Sequence, residues 1–178
     1  MKPITDLLKE HGAIKLVLKI IDKMSLELEK GKEISVSDIK NIVVLVQEFS
    51  DKCHHGKEEH LLFPAMRENN ILEEISLIDI LVEEHRRGRG FAKNMAEFET
   101  TKDPIKFIEN ARGYIKLLNS HIDKENNLLF PMANKTLAPE KQNELEKGFE
   151  DLEKNVIGAG RHEEFHKMIS ELEKKYLR

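Results

Sequence analysis

The sequence predicts an all-α protein: an up-down antiparallel four-helix bundle with a C-terminal helical extension. Three observations carry this. Charged residues make up 35% and hydrophobic residues 39% of the chain, with no Trp and little Pro or Gly, which is the composition of amphipathic helices with solvated outer faces. Apolar residues recur at intervals near the helical repeat over long stretches. A segment of helical character also occurs twice: residues 53–64 read CHHGKEEHLLFP and residues 120–131 read SHIDKENNLLFP.

The elements follow in order. Pro3, with Thr5 or Asp6 nearby, opens a first helix whose apolar positions Leu7, Leu8, Ile14, Leu18, Ile21 and Leu28 keep the period until about Gly31. Ser35 or Ser37 caps a second helix through Val36, Ile39, Val43, Val46 and Phe49 to His54. Its β-branched run Ile42–Val46 reads as helix because the period continues on both sides. A third helix runs from about Leu72 to Glu99, and Asp103-Pro104 opens a fourth as N-cap and first-turn pair. Pro64 and Pro131 lack a backbone donor, so each is expected to kink or end its helix. Ala138-Pro139-Glu140 opens a fifth helix, Gly158-Ala159-Gly160 interrupts it, and a last helix carries Arg161 to Leu177. One domain spans 1–178, with a duplicated αα-hairpin bundle over 1–136 and C-terminal helices over 137–178.

The duplication carries the chemistry. His54 pairs with His121, Glu58 with Glu125, and Leu61-Leu62-Phe63-Pro64 with Leu128-Leu129-Phe130-Pro131, at a constant offset of 67 residues. Upstream, Leu7-Leu8-Lys9-Glu10-His11 matches Leu81-Val82-Glu83-Glu84-His85 at an offset of 74. A His and a Glu four apart share one helix face. Neutral imidazole and carboxylate together suit a borderline first-row metal. His11 and His85 lie early on their helices while His54 and His121 lie late, so antiparallel packing brings His11, His54, Glu58, His85, His121 and Glu125 to one height. That pseudo-two-fold is the symmetry of two metal ions sharing two carboxylates.

Neighbouring residues read differently. A single HxxxE is an ordinary exposed helix pair worth about 0.2–0.5 kcal/mol, and only the in-register repetition argues otherwise. His55 and Glu59 form a second HxxxE, but their repeat partners are Ile122 and Asn126, and a shift of one residue turns a side chain about 100° around the helix; they are expected off the ligand face. His60 is expected in solvent. Glu10 and Glu84, each just before a ligand, are expected to be outer-face charges, with a supporting role to the ligands as the alternative. Cys53 reads as a packed small residue. Tyr114 and its counterpart Gln47, each seven residues before a repeat His, are either hydrogen-bonding groups near the site or ordinary interior residues. In the last helix, His162 lies about 60° and His166 about 100° from the centre of the apolar stripe, so His162 is the better placed of the two to point inward.

The EH pairs, the twin HxxxE-LLFP segments and the C-terminal GxGxHxxxH together resemble the hemerythrin-like (HHE cation-binding) domain proteins of prokaryotes over about residues 3–135. The resemblance implies two iron ions with a bridging oxo or hydroxo group, held by histidines and two bridging carboxylates: His11, His54, Glu58, His85, His121 and Glu125 in this sequence. Five histidines are usual. Oxygen-carrying members take the fifth from an HxxxH on the third helix, but here Arg89 stands four residues after His85. His162, or failing that His166, is the natural replacement. With five histidines, one iron is filled and the other keeps one open position.

The function expected is therefore a non-haem di-iron protein that binds O2, NO or H2O2 at an open iron position, for sensing, carriage or detoxification. The alternative is iron sensing, storage or donation without small-molecule chemistry; a third reading is a metal-free acidic helical interaction module. Manganese or zinc could occupy the same donors. The expected partner is a small diatomic ligand, with a redox partner where electrons are needed. A net charge of −4 with interspersed Lys and Arg argues against nucleic acid. The longest apolar run argues against a membrane span, and a single Cys fits a cytoplasmic location.

Overall fold

The computed structural model describes residues 1–178 and contains helices but no strands. Helix α1 is Lys2–Glu29. Helix α2 winds without a break over residues 36–67. Helix α3 is Leu72–Ala96, followed by the single turn Phe98–Thr101. Helix α4 covers residues 104–136, α5 covers 139–158, and α6 is Arg161–Tyr176. Of the two serines that could open α2, Ser35 does so, its hydroxyl accepting from the Asp38 N–H at 3.1 Å. Asp103 caps α4 through the N–H groups of Ile105 and Lys106. Gly31 leaves α1 with φ +72°, a conformation glycine adopts without strain.

Pro64 and Pro131 do not end their helices. In both repeats the turn before the proline widens so that the N–H of the preceding Phe reaches back five residues: Phe63 donates to the Glu58 carbonyl, and Phe130 to the Glu125 carbonyl. With that winding the helix continues past each proline, to Arg67 and to Thr136. A longer stretch of the same winding, Leu45–His55, runs into the site in α2 and carries His54 and His55.

Side-chain pairs give the helix directions. From one end of α1 to the other, Met1 meets Asn134, His11 meets Asn126, Lys15 meets Asp123 and Glu29 meets Arg112, so α1 and α4 run in opposite senses. Between α3 and α4, Glu84 meets Lys124 and Asn94 meets Asn110, again with opposite sense. The interior is layered. One apolar cluster holds Ile14, Val17, Phe49, Leu118 and their neighbours; a second holds Leu7, Leu62, Leu81, Leu129 and theirs. His11, His54, His85 and His121 fall between these clusters in the register of their helices. The C-terminal helices belong to the same interior: Leu145 and Phe149 of α5 join the second cluster, and Phe165, Ile169 and Leu172 of α6 join the first. Each such buried side chain is worth about 1.5–3 kcal/mol.

Candidate metal centre

Between the two apolar clusters the structure buries seven metal-ligand side chains. His11, His54, His55, Glu58, His85, His121 and Glu125 are each at most 3% exposed. Their donor atoms fall into two overlapping groups, each within 4.8 Å: His11, His54, Glu58 and Glu125 form one, and His55, Glu58, His85 and His121 the other. Glu58 belongs to both. Glu125 reaches both sides as well, with Oε2 3.1 Å from His11 Nε2 and Oε1 3.0 Å from His121 Nε2. Two buried carboxylates thus span two imidazole clusters.

Each of the four repeat histidines is held from behind at Nδ1. Glu10 lies 2.8 Å from His54 Nδ1, Glu84 2.9 Å from His121, Glu59 2.7 Å from His85, and the Asn126 side-chain oxygen 2.7 Å from His11. The duplication organises these partners too, because Glu10 corresponds to Glu84 and Glu59 to Asn126. A carboxylate or amide oxygen can only accept, so the proton sits on Nδ1 and the Nε2 lone pair faces the cage.

The inward atoms fit a metal. Nε2 of His11, His54 and His55 and both oxygens of Glu58 and Glu125 are shielded from water and have no hydrogen-bond partner. Buried polar groups in native proteins are nearly always satisfied, and leaving one bare costs about 1–3 kcal/mol. So many bare acceptors converging on one space are stable only with positive charge among them. Imidazole nitrogen and carboxylate oxygen form the donor set of a borderline first-row cation.

Protonation substitutes for that charge when no ion is bound. Burial, reinforced by repulsion from Glu125, pushes Glu58 well above the usual carboxylate range. Burial presses on Glu125 in the same direction, but His121 and His11 outweigh it and hold Glu125 well below that range. Burial pushes His54 down to about 4 and lowers His55 and His85 as well. His121 moves the other way: burial is overcome by Glu125 and Glu84, which raise it to about 9.

Several sequence expectations change here. His11, His54, Glu58, His85, His121 and Glu125 come together as the repeat required. His55 does not lie off the ligand face: it stacks on His85 with ring centroids 3.8 Å apart. His55 reaches the cage because the two donor groups together occupy a wider arc of α2, and because the π-type winding over Leu45–His55 reduces the angular step between His54 and His55. His162 lies elsewhere: its side chain is 29% exposed and its Nε2 is 3.7 Å from Glu10. Helical-wheel arithmetic placed it on the inner side of α6, but α6 packs outside α1 and α2 and cannot reach the cage. His166 is more exposed still. Glu10, Glu84 and Glu59 are not free surface charges, since each accepts a hydrogen bond from a cage histidine. Tyr114 is buried and lines a small cavity with Gln47 and His55. Cys53 is fully buried, and burial pushes its thiol up to about 12.

A helical bundle with buried, paired imidazole–carboxylate clusters defines a protein with a cation-binding core. The hemerythrin HHE cation-binding domain matches residues 2–133, and the chain belongs to that family. Similar proteins include uncharacterized proteins of Mycobacterium bovis and of two strains of Mycobacterium tuberculosis. Each is 22% identical over 175 residues, covering 95% of this chain and 68% of its own length. No solved structure matches the chain. No helix is long and apolar enough to cross a membrane.

Proposed function

We propose that this chain is one domain built on an up-down four-helix bundle, that its cage holds two iron ions, and that a small ligand such as O2, NO or H2O2 binds beside His11 and His54. Bound there, iron supplies reversible ligation of a diatomic or peroxide and exchange of electrons with it. His55, His85 and His121 would hold one ion and His11 and His54 the other, with Glu58 and Glu125 available to both.

The observation that carries this reading is the one break in the duplication inside the cage. The position equivalent to His55 is Ile122, which is 1% exposed and has no donor atom. By the repeat, the His11–His54 side is one ligand short, and the corresponding Ile122 packs in the apolar cluster that borders the cage. An apolar wall favours a small neutral ligand over water. Asn126 and Glu10 fix the tautomers of His11 and His54, so those rings do not offer a proton to the ligand from Nε2. A chain with a single Cys suits a reducing cytoplasm, where a redox partner would return electrons.

The test is Ile122→His. Anaerobically reconstituted wild-type protein is expected to bind two irons and to develop near-ultraviolet and visible charge-transfer bands with azide or O2. Ile122→His is expected to keep both irons and lose that response. A variant that still binds azide like wild type, or a wild-type protein silent to every small ligand, would overturn the reading.

A further inference from the structure

The duplication also builds two equivalent supports behind the cage: Lys57–Glu10–His54 on one side and Lys124–Glu84–His121 on the other. They differ in what covers them. The Lys124 side chain is 29% exposed, whereas that of Lys57 is 1% exposed. The cover comes from α5 and α6, which lie beyond the residues matched by the family. Glu153 of α5 pairs with Lys57, and His162 of α6 approaches Glu10. The chain has thus added a carboxylate and an imidazole on one side only.

The additions make a second donor cluster. One ligand atom each from Glu10, Glu153 and His162 lies within 4.8 Å of the others. His162 Nε2 is screened from water and has no hydrogen-bond partner. His166 follows one turn later, its ring centroid 4.8 Å from that of His162. The cluster borders a surface cavity of about 430 Å³ in which the carboxylates of Asp6, Glu10, Glu146, Glu150 and Glu153 outnumber the ammonium groups of Lys2, Lys9 and Lys57. Glu10 is common to this cluster and to the support of His54.

We propose that Glu10, Glu153 and His162 form an outer cation site that receives a divalent transition-metal ion on its way to the buried cage. This rests on the cage holding metal. Ions bound for a cage whose ligands are almost wholly buried need a way in, and a cavity with an excess of carboxylates over lysines draws cations to its mouth. One imidazole and two carboxylates suit a first-row dication. The Lys57 ammonium pairs with both carboxylates when no ion is present; a dication there would compete with Lys57 for their oxygens, with the His162 lone pair as a donor that Lys57 does not use.

The experiment is anaerobic Fe2+ titration and stopped-flow loading of the full-length protein, comparing wild type with His162→Ala and Glu153→Gln. Wild type is expected to bind two ions tightly and a third weakly. Both variants are expected to lose the third and to fill the cage about tenfold more slowly at low Fe2+. Equal stoichiometry and equal loading rates in all three proteins would overturn the outer site. A wild-type protein that binds no tight pair would instead overturn the cage. Melting of the metal-free variants checks their folding. Anomalous diffraction from Mn2+-soaked wild-type crystals gives a variant-free answer: a peak among Glu10, Glu153 and His162 is expected, and a peak in the cage alone refutes the proposal.

Discussion

The Nε2 atoms of His85 and His121 lie 3.0 Å apart while Glu59 and Glu84 hold the Nδ1 protons on the opposite edges of the two rings. Two lone pairs at that distance repel each other unless a positive charge lies between or beside them. Without metal, a proton on His121 supplies it. A metal ion supplies it otherwise, so uptake should expel the proton on His121 and the one on Glu58. Loading at pH 7 should release the His121 proton, about one per cage, with Glu58 adding to the release in the direction of its raised affinity for a proton, measurable with a pH indicator or from the buffer dependence of calorimetric heats. Metal uptake without proton release would contradict the placement of these charges.

The metal-free protein should be most stable near pH 6.5. Below that, unfolded histidines take up protons that His54, His55 and His85 refuse in the folded state, so stability falls with pH. His54 alone, displaced from 6.5 to about 4, contributes a loss on the order of 3 kcal/mol across that window. Glu58, whose folded form keeps its proton, offsets part of this above the ordinary carboxylate range. Above pH 6.5 the sign reverses: folded His121 and Glu58 hold protons that the unfolded chain releases, and stability declines toward pH 9. Urea melts of chelated protein across pH 5–9 would reveal the maximum; a monotonic profile would exclude it.

Removing a shared ligand should differ from removing an unshared one. Glu58→Ala should abolish binding of both ions, because its carboxylate belongs to both donor groups. His55→Ala should weaken the His85–His121 side and leave the His11–His54 ion in place. Metal content by elemental analysis after gel filtration distinguishes the two.

Glu84→Gln should lower metal affinity about 10–100-fold without touching a ligand. The amide keeps an acceptor for His121 Nδ1 but loses the charge that favours a strongly donating imidazole. Competition with a chelator of known affinity reads this directly. An unchanged affinity would demote Glu84 to a surface residue.

Phe165→Ala should destabilise the whole protein by about 3–5 kcal/mol, since Phe165 is fully buried in the same cluster as Val17 and Phe49. Thermal melting should remain a single transition shifted down. A separate early transition would mean that the C-terminal helices fold as their own unit.

Much of this was legible in the sequence. The twin HxxxE-LLFP segments and the upstream EH pairs identify six donors and their common height, because helical spacing and antiparallel packing depend only on residue number. The His55–Ile122 mismatch is visible in the sequence too, but there it argues only that His55 lies off the ligand face. Only the tertiary structure decided what that difference means. Whether His55 points inward depends on the width of the cage and on the local unwinding of α2, and neither changes the apolar period. Whether Glu10, Glu59 and Glu84 face water or a ligand depends on which helix covers them. The depth of His162 depends on where α6 docks: a helical wheel gives a direction, but distance from the cage is set by packing between elements far apart in the chain.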